Sequence, residues 1–203
     1  SSAASDVYES QLLDRQPGGS WLKAPRALAL SHGTRPLLER LNAWNAAAAP
    51  AIQGIHVSQR GGFGRAQIEA ADYDIPALGY VMRYRDLAAA LDARIPAAQW
   101  LEPGQVVTIT TNDSGALATV TRGGVTRQIT ARLVVHGEGT PQTDPDVSVS
   151  DYGQHAVIAE VRPAAPHGNR AWERFTPDGP LALLPIGDDY SVVFTVPPEK
   201  AEC

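Results

Sequence analysis

The side chains able to do chemistry are scattered rather than clustered. The five histidines, His32, His56, His136, His155 and His167, form no His-Glu-x-x-His pair and share no zinc-type spacing with a cysteine. Ser31 and Ser58 lack the Gly-x-Ser-x-Gly elbow and have no recognisable triad partners, so nucleophilic hydrolysis has no support. No metal ligand and no catalytic nucleophile is nominated. In "IHVSQRGGFGRA" the glycines Gly62 and Gly64 follow a strand-like run, as in a phosphate-cradling turn. A dinucleotide fingerprint would need Gly or Ala where Gln67 stands, and then a helix. The run "AQIEA" reads instead as a returning strand, so a hairpin is expected. Asp14 closes "SQLLD", where an acid at a strand end can hold a ribose hydroxyl or simply make a turn.

The stretch "WERFTPDGPLALLPI", residues 172–186, asks a different question. Glu173 and Arg174 sit on one arm, a Pro-Asp-Gly turn comes next, and the second arm is almost wholly apolar. Leu181, Leu183 and Pro185 share one strand face, while Ala182, Leu184 and Ile186 share the other. Such a strand is either buried between two layers or walls a pocket for a flat, oily ligand. Pattern alone favours the first.

These residues need elements to place them. A short strand is expected over 10–14, then a helix over 34–46 with Thr34 as cap, Pro36 in its first turn and Leu37, Leu38, Leu41 and Trp44 as its stripe. Residues 52–58 and 66–70 read as a strand pair, 77–82 as a strand, and 85–95 as an amphipathic helix bearing Leu87, Ala90, Leu91 and Ile95. From residue 105 the period becomes two, giving strands over 105–110, 116–120 and a long one over 125–135. The loop 138–148 looks like a crossing between two structural units. Beyond it, 154–161, 170–175, 181–186 and 191–196 read as an antiparallel sheet joined by Gly, Pro and Asp turns.

Composition narrows the field. With 43% hydrophobic and 19% charged residues over 203 positions, the chain can bury a sizeable core. A net charge of −5 argues against a nucleic-acid partner. No run approaches a membrane span, and "SSAASDVYES" has neither the basic nor the apolar region of a leader. The single cysteine, Cys203, rules out a disulfide within the chain and fits a reducing cytoplasm.

Several segments taken in order carry a resemblance: "PRALALSHGTRPLLERLNAW", "IHVSQRGGFG", "ALGYVMRYRDLAAAL", "LVVHGEG", "DYGQHAVIAEV" and "AWERFTPDGPLALLPI". The series resembles the FAD-dependent aromatic hydroxylases of ubiquinone biosynthesis, within the para-hydroxybenzoate-hydroxylase-like monooxygenases. The resemblance implies an α+β fold with α/β elements in its first half. Part of a Rossmann-like FAD domain (1–50 and 80–145) would interleave with a substrate domain on a large antiparallel sheet (51–79 and 146–203). It implies FAD as cofactor and NAD(P)H as reductant. Asp14, Arg26, Glu138 and Gly139 would contact FAD, and His56, Arg174, Phe175, Leu183 and Pro185 the substrate. The alternative for Arg26 is a surface salt bridge. Two departures stand out. The family's Asp-Gly motif reads Glu138-Gly139 here, and neither the leading Gly-x-Gly-x-x-Gly nor the trailing Gly-Asp segment is present, so a central fragment with little activity of its own is expected.

The implied reaction is hydroxylation of a polyprenylated phenol, which needs a dry wall rather than a nucleophile. A hydrophobic phenol or quinone precursor would be the ligand. Partner proteins of a ubiquinone-biosynthesis assembly would be its neighbours, in the cytoplasm or at the periphery of the inner membrane. Two other readings stay open on residues alone: a non-catalytic module for an oily ligand, and a structural subunit.

Overall fold

Two-residue alternation builds most of this chain. The computed structural model describes residues 10–17, 19–96, 104–137 and 148–202. By its internal contacts the chain divides into two compact units, Ser1–Ser20 with Ile95–Val149, and Trp21–Arg94 with Ser150–Cys203.

The second unit opens with β1 (Ala27–Ser31), α1 (Thr34–Arg40), β2 (Ala51–Ile52), β3 (Gly54–Gln59), β4 (Arg65–Glu69), β5 (Gly79–Arg83) and α2 (Tyr84–Asp92). It resumes with β9 (His155–Val161), β10 (Arg170–Thr176), β11 (Gly179–Ile186), β12 (Asp189–Val196) and the one-turn α3 (Pro198–Ala201). A small sheet runs in the order β1-β5-β2, and a six-stranded sheet in the order β4-β3-β10-β11-β12-β9. The first unit contributes β6 (Gln105–Asn112), β7 (Gly115–Arg122) and β8 (Val125–Ala131), an antiparallel meander around buried Val120.

Several expectations are corrected. Residues 10–14 form no strand beyond an isolated bridge at Leu12, and Asp14 Oδ1 instead accepts the Gln16 N–H in a local turn. The helix expected over 34–46 stops at Arg40. Asn42 adopts a left-handed φ of 53°, its N–H donates to the Glu39 carbonyl, and the Ala43 N–H donates to the Leu38 carbonyl. That pair of bonds terminates a helix by satisfying its last carbonyls, and it brings buried Leu38 and Ala43 together. The long strand expected over 125–135 ends at Ala131, because its partner β7 begins at Gly115 and Ala116 pairs with Ala131. Leu133 and Val135 beyond it are exposed. β1 carries no sequence-based expectation at all.

The four late strands pair antiparallel as expected, and β3 joins them parallel to β10, in register from Arg170 opposite Gly54 to Phe175 opposite Gln59. Only a hairpin forces antiparallel pairing, and more than a hundred residues separate these strands. The expected hairpin of β3 and β4 does form, with Gly54 opposite Glu69 and Ser58 opposite Arg65.

Both prolines of β11 sit where it has one neighbour. Pro180 pairs with Phe175 of β10 before the ladder to β12 begins at Leu181, and Pro185 pairs with Tyr190 of β12 after the ladder to β10 ends at Leu183. Each ladder thus ends at a residue that has no N–H to donate. Gly179, at φ 143°, closes the turn where a Cβ would lie 1.9 Å from the Thr195 carbonyl oxygen, so only glycine fits.

Two apolar clusters hold the second unit. Ala49, Ala77, Tyr80 and Met82 pack with Leu30, Trp44, Ala51 and Leu87 on one side of the small sheet. Ile52, Val81, Ala171 and Ile186 pack with Ala27, Ile55, Leu78 and Leu184 where the two sheets meet. An Arg83–Glu160 ion pair ties β5 to β9 and raises the Arg83 pKa chiefly through that hydrogen bond. Among the described residues no helix is long and apolar enough to cross a membrane.

Candidate functional site

The register of the six-stranded sheet sorts its side chains onto two faces. On one, a middle row runs Gln67, His56, Trp172, Leu183, Val192, Ala159. The row beside it runs Arg65, Ser58, Arg174, Leu181, Phe194, Val157. On this tryptophan face polar groups largely satisfy one another. The His56 and Trp172 rings meet at 4.7 Å, Trp172 Nε1 donates to Tyr190 Oη at 3.1 Å, and Tyr190 Oη donates to the Arg170 carbonyl at 3.0 Å. Glu69 and Arg170 pair at 2.8 Å across Gly54, which has no Cβ to obstruct them. Arg174 Nη1 reaches Ser58 Oγ at 3.5 Å. His56 Nδ1 is buried there without a hydrogen-bond partner.

The opposite face differs. Its first row, Ile55, Ala171, Leu184 and Ser191, ends on Glu160 and lies under the small sheet. Its second row runs Ala66, Val57, Glu173, Ala182, Val193, Ile158, and beyond it stand Phe175 and Pro180. This is a half-open apolar shelf: Phe175 is 49% and Ile158 50% exposed, while Val57, Ala182 and Val193 are half-buried. Glu173 stands in the middle, flanked in register by Val57 and Ala182. Burial pushes its carboxyl above the usual carboxylate range, with no hydrogen bond or charge opposing among the described residues. A perturbed carboxyl on an apolar surface marks a candidate site.

The sequence-nominated substrate residues therefore divide. His56, Arg174, Leu183 and Pro185 share the tryptophan face, whereas Phe175 stands on the glutamate face. Pro185 is fully buried. Glu173 was not nominated, because next to Arg174 it reads as half of an exposed charged pair. Alternation places the two on opposite faces.

Among the expected cofactor residues, Arg26 stacks its guanidinium 4.1 Å from the Tyr84 ring centroid. It makes no ion pair among the described residues, so its charge is open to an anion. Beside it in sequence, Ala24 and Pro25 border a concavity with Arg83, Arg85 and Glu160. Arg83 there is paired with Glu160 and Arg85 lies 3.8 Å from Asp86, so Arg26 is the one of these cations left to meet an anionic group among the described residues. Asp14 engages one carboxylate oxygen with the Gln16 N–H and its carbonyl with Gly104, leaving the other oxygen to accept a hydroxyl. Asp14 belongs to the first unit and Arg26 to the second. Glu138 and Gly139 lie outside the described residues. Among the described residues no group of three or more His, Cys, Asp or Glu could hold a metal.

No family model matches the chain. It is similar to the 3-demethoxyubiquinol 3-hydroxylase of Escherichia coli strain K12, at 26% identity over 176 residues, covering 82% of this chain and 44% of that protein. It is also similar to ubiquinone hydroxylase UbiL of Rhodospirillum rubrum, at 32% identity over 127 residues, covering 58% of this chain and 29% of that protein. The chain thus spans about half the length, or less, of the curated relatives it matches. Among solved structures it is similar to p-nitrophenol 4-monooxygenase PnpA of Pseudomonas putida DLL-E4, with TM-score 0.69 and 15% identity, covering 92% of this chain and 51% of that one. Other structures of this fold are flavin-dependent enzymes, one of them complexed with FAD. The chain is related to ubiquinone hydroxylases and has the fold of FAD-dependent monooxygenases.

Proposed function

We propose that this chain forms part of an FAD-dependent monooxygenase that hydroxylates a polyprenylated phenol, a precursor of a quinone. The glutamate face carries the reading: a flat apolar shelf with one unpartnered carboxylate suits a planar ring bearing one polar group. Residues 51–79 and 146–203 would form the substrate part, and 1–50 with 80–145 the cofactor part. Arg26 would neutralise the anionic part of FAD, Asp14 would accept a ribose hydroxyl, and Glu138 with Gly139 would complete the contact. When bound, FAD supplies transfer of electrons from NAD(P)H and activation of oxygen.

The residues of this chain have simpler tasks. Val57, Ala182 and Val193 offer small or β-branched surface on which a ring lies flat without water beneath it. Phe175 and Pro180 bound the shelf on the turn side. Removing water protects a reactive oxygenating species from being wasted, so an apolar floor serves the reaction as much as it serves binding.

Titration of FAD into the chain, followed by absorbance near about 450 nm, tests the cofactor half. Binding that Arg26→Ala weakens by about tenfold, the usual scale of one charge-assisted contact, is expected. A chain that leaves FAD unbound at every concentration removes the FAD contacts proposed for Arg26 and Asp14.

A further inference from the structure

Resting on that reading, we infer that Glu173 is the group that receives the hydroxyl proton of a phenol seated on the shelf, which makes a free ring hydroxyl a requirement for recognition. The geometry supplies the argument. Glu173 is the charged member of its row, with Val57 on β3 and Ala182 on β11 directly beside it. Its neighbours along β10 on the same face are Ala171 and Phe175.

Every element packed around it is poor in partners. β3 brings Ile55, Val57 and Gln59 to this face, and β11 brings Pro180, Ala182 and Leu184. From the small sheet, Arg83 is engaged by Glu160. In the turn after β10, Asp178 is engaged by Lys200, and that contact draws the Asp178 carboxyl down in pKa. Arg60 follows β3, and its backbone N–H donates to the Phe175 carbonyl. Arg174, next in sequence, is turned to the other face toward Ser58. Glu173 makes no ion pair among the described residues, which leaves its carboxylate as an acceptor for a ligand.

The step balances without a co-reactant. The ring O–H bond breaks, an O–H bond forms on Glu173, and the electron pair stays on the ring oxygen. Charge delocalised from that oxygen raises electron density at the ortho and para carbons, the positions an electrophilic oxygen would attack. Moving the proton within a half-buried pair leaves a single negative charge in the site throughout, whereas releasing a phenolate beside an ionised Glu173 would place two there. Ala182 and Ala66 keep the floor shallow, so a ring can lie close enough for its hydroxyl to reach the carboxylate.

Calorimetric binding of 4-nitrophenol and its methyl ether, 4-nitroanisole, tests this without flavin. The unaltered chain is expected to prefer the phenol by about tenfold or more, the scale of a hydrogen bond to a charged acceptor. Glu173→Met should bind the two within about twofold of each other, and Glu173→Gln should retain only a few-fold preference, as a neutral acceptor does. Raising the pH through ionisation of the phenol should weaken its binding to the unaltered chain and spare Glu173→Gln. Circular dichroism of both variants checks that the sheet is intact. A preference that survives in both folded variants overturns the role of Glu173 and leaves the shelf standing. If neither probe binds the unaltered chain, the shelf and this inference fall together, and FAD titration alone then decides the cofactor half.

Discussion

The two faces of the six-stranded sheet are made by alternate residues of the same strands, yet they behave differently. On the tryptophan face, the rings of His56, Trp172 and Tyr190 and the Glu69–Arg170 pair are occupied with one another. On the glutamate face one carboxylate stands among Val57, Ala182 and Val193 with no charge paired to it among the described residues. A face whose polar groups mostly engage one another, with His56 Nδ1 left over, offers less to a ligand than an acid with no partner. An unsettled acid on a shelf costs stability, and such a cost is tolerated where the group has a task. The contrast therefore moves attention from Arg174 and His56, the more conspicuous residues in the sequence, to Glu173 between them.

The sharpest way to break this contrast is to fill the shelf. Ala182→Trp should abolish binding of a small phenol, a loss on the order of 100-fold by calorimetry, by occupying the floor beside Glu173. Equal loss from a matching insertion at Leu183 would show that the faces are not distinct. Next in size, Trp172→Ala should destabilise the chain by about 2 kcal/mol in urea unfolding, through lost packing against His56 and a lost bond to Tyr190. Phenol affinity should then change by less than about twofold.

The smallest effect concerns pH. Because burial raises the Glu173 pKa, the native state holds that proton more tightly than the unfolded chain does. The contribution of this group to stability is full below the unfolded value of about 4.3 and is lost as pH rises through the folded value. Glu173→Gln should therefore raise Tm at about pH 7 by on the order of 1 °C, a small shift because solvent screens the half-open site, and the gain should vanish near about pH 4. A gain that persists in acid would mean the amide packs better, and that desolvation is not the cause.

Part of this site was legible beforehand. The Thr176-Pro177-Asp178-Gly179 turn sets Thr176 opposite Gly179, and counting back along the hairpin puts Glu173 opposite Ala182. Alternation then separates Glu173 from Arg174. The other half was not legible, since Val57 reaches Glu173 only because β3 lies parallel to β10 across a gap of more than a hundred residues. Local periodicity carries no information on such a pairing. The same limit explains β1, whose "ALALS" is too short and too rich in alanine to announce a strand. The early end of α1 hinged on Asn42 accepting a left-handed backbone, which the helix-like spacing of Leu38, Leu41 and Trp44 conceals.

The placement of Pro180 and Pro185 has a mechanical consequence. Were β11 to slide two residues one way, Pro185 would occupy the slot of Leu183 and deny β10 a donor. Sliding two residues the other way would put Pro180 in the slot of Ala182 and deny β12 one. The strand is latched against travel in both directions, and a slip of a single residue would turn Glu173's neighbours inside out. Adaptation to a different ring must then come from exchanging side chains on a fixed track, because the track itself cannot shift.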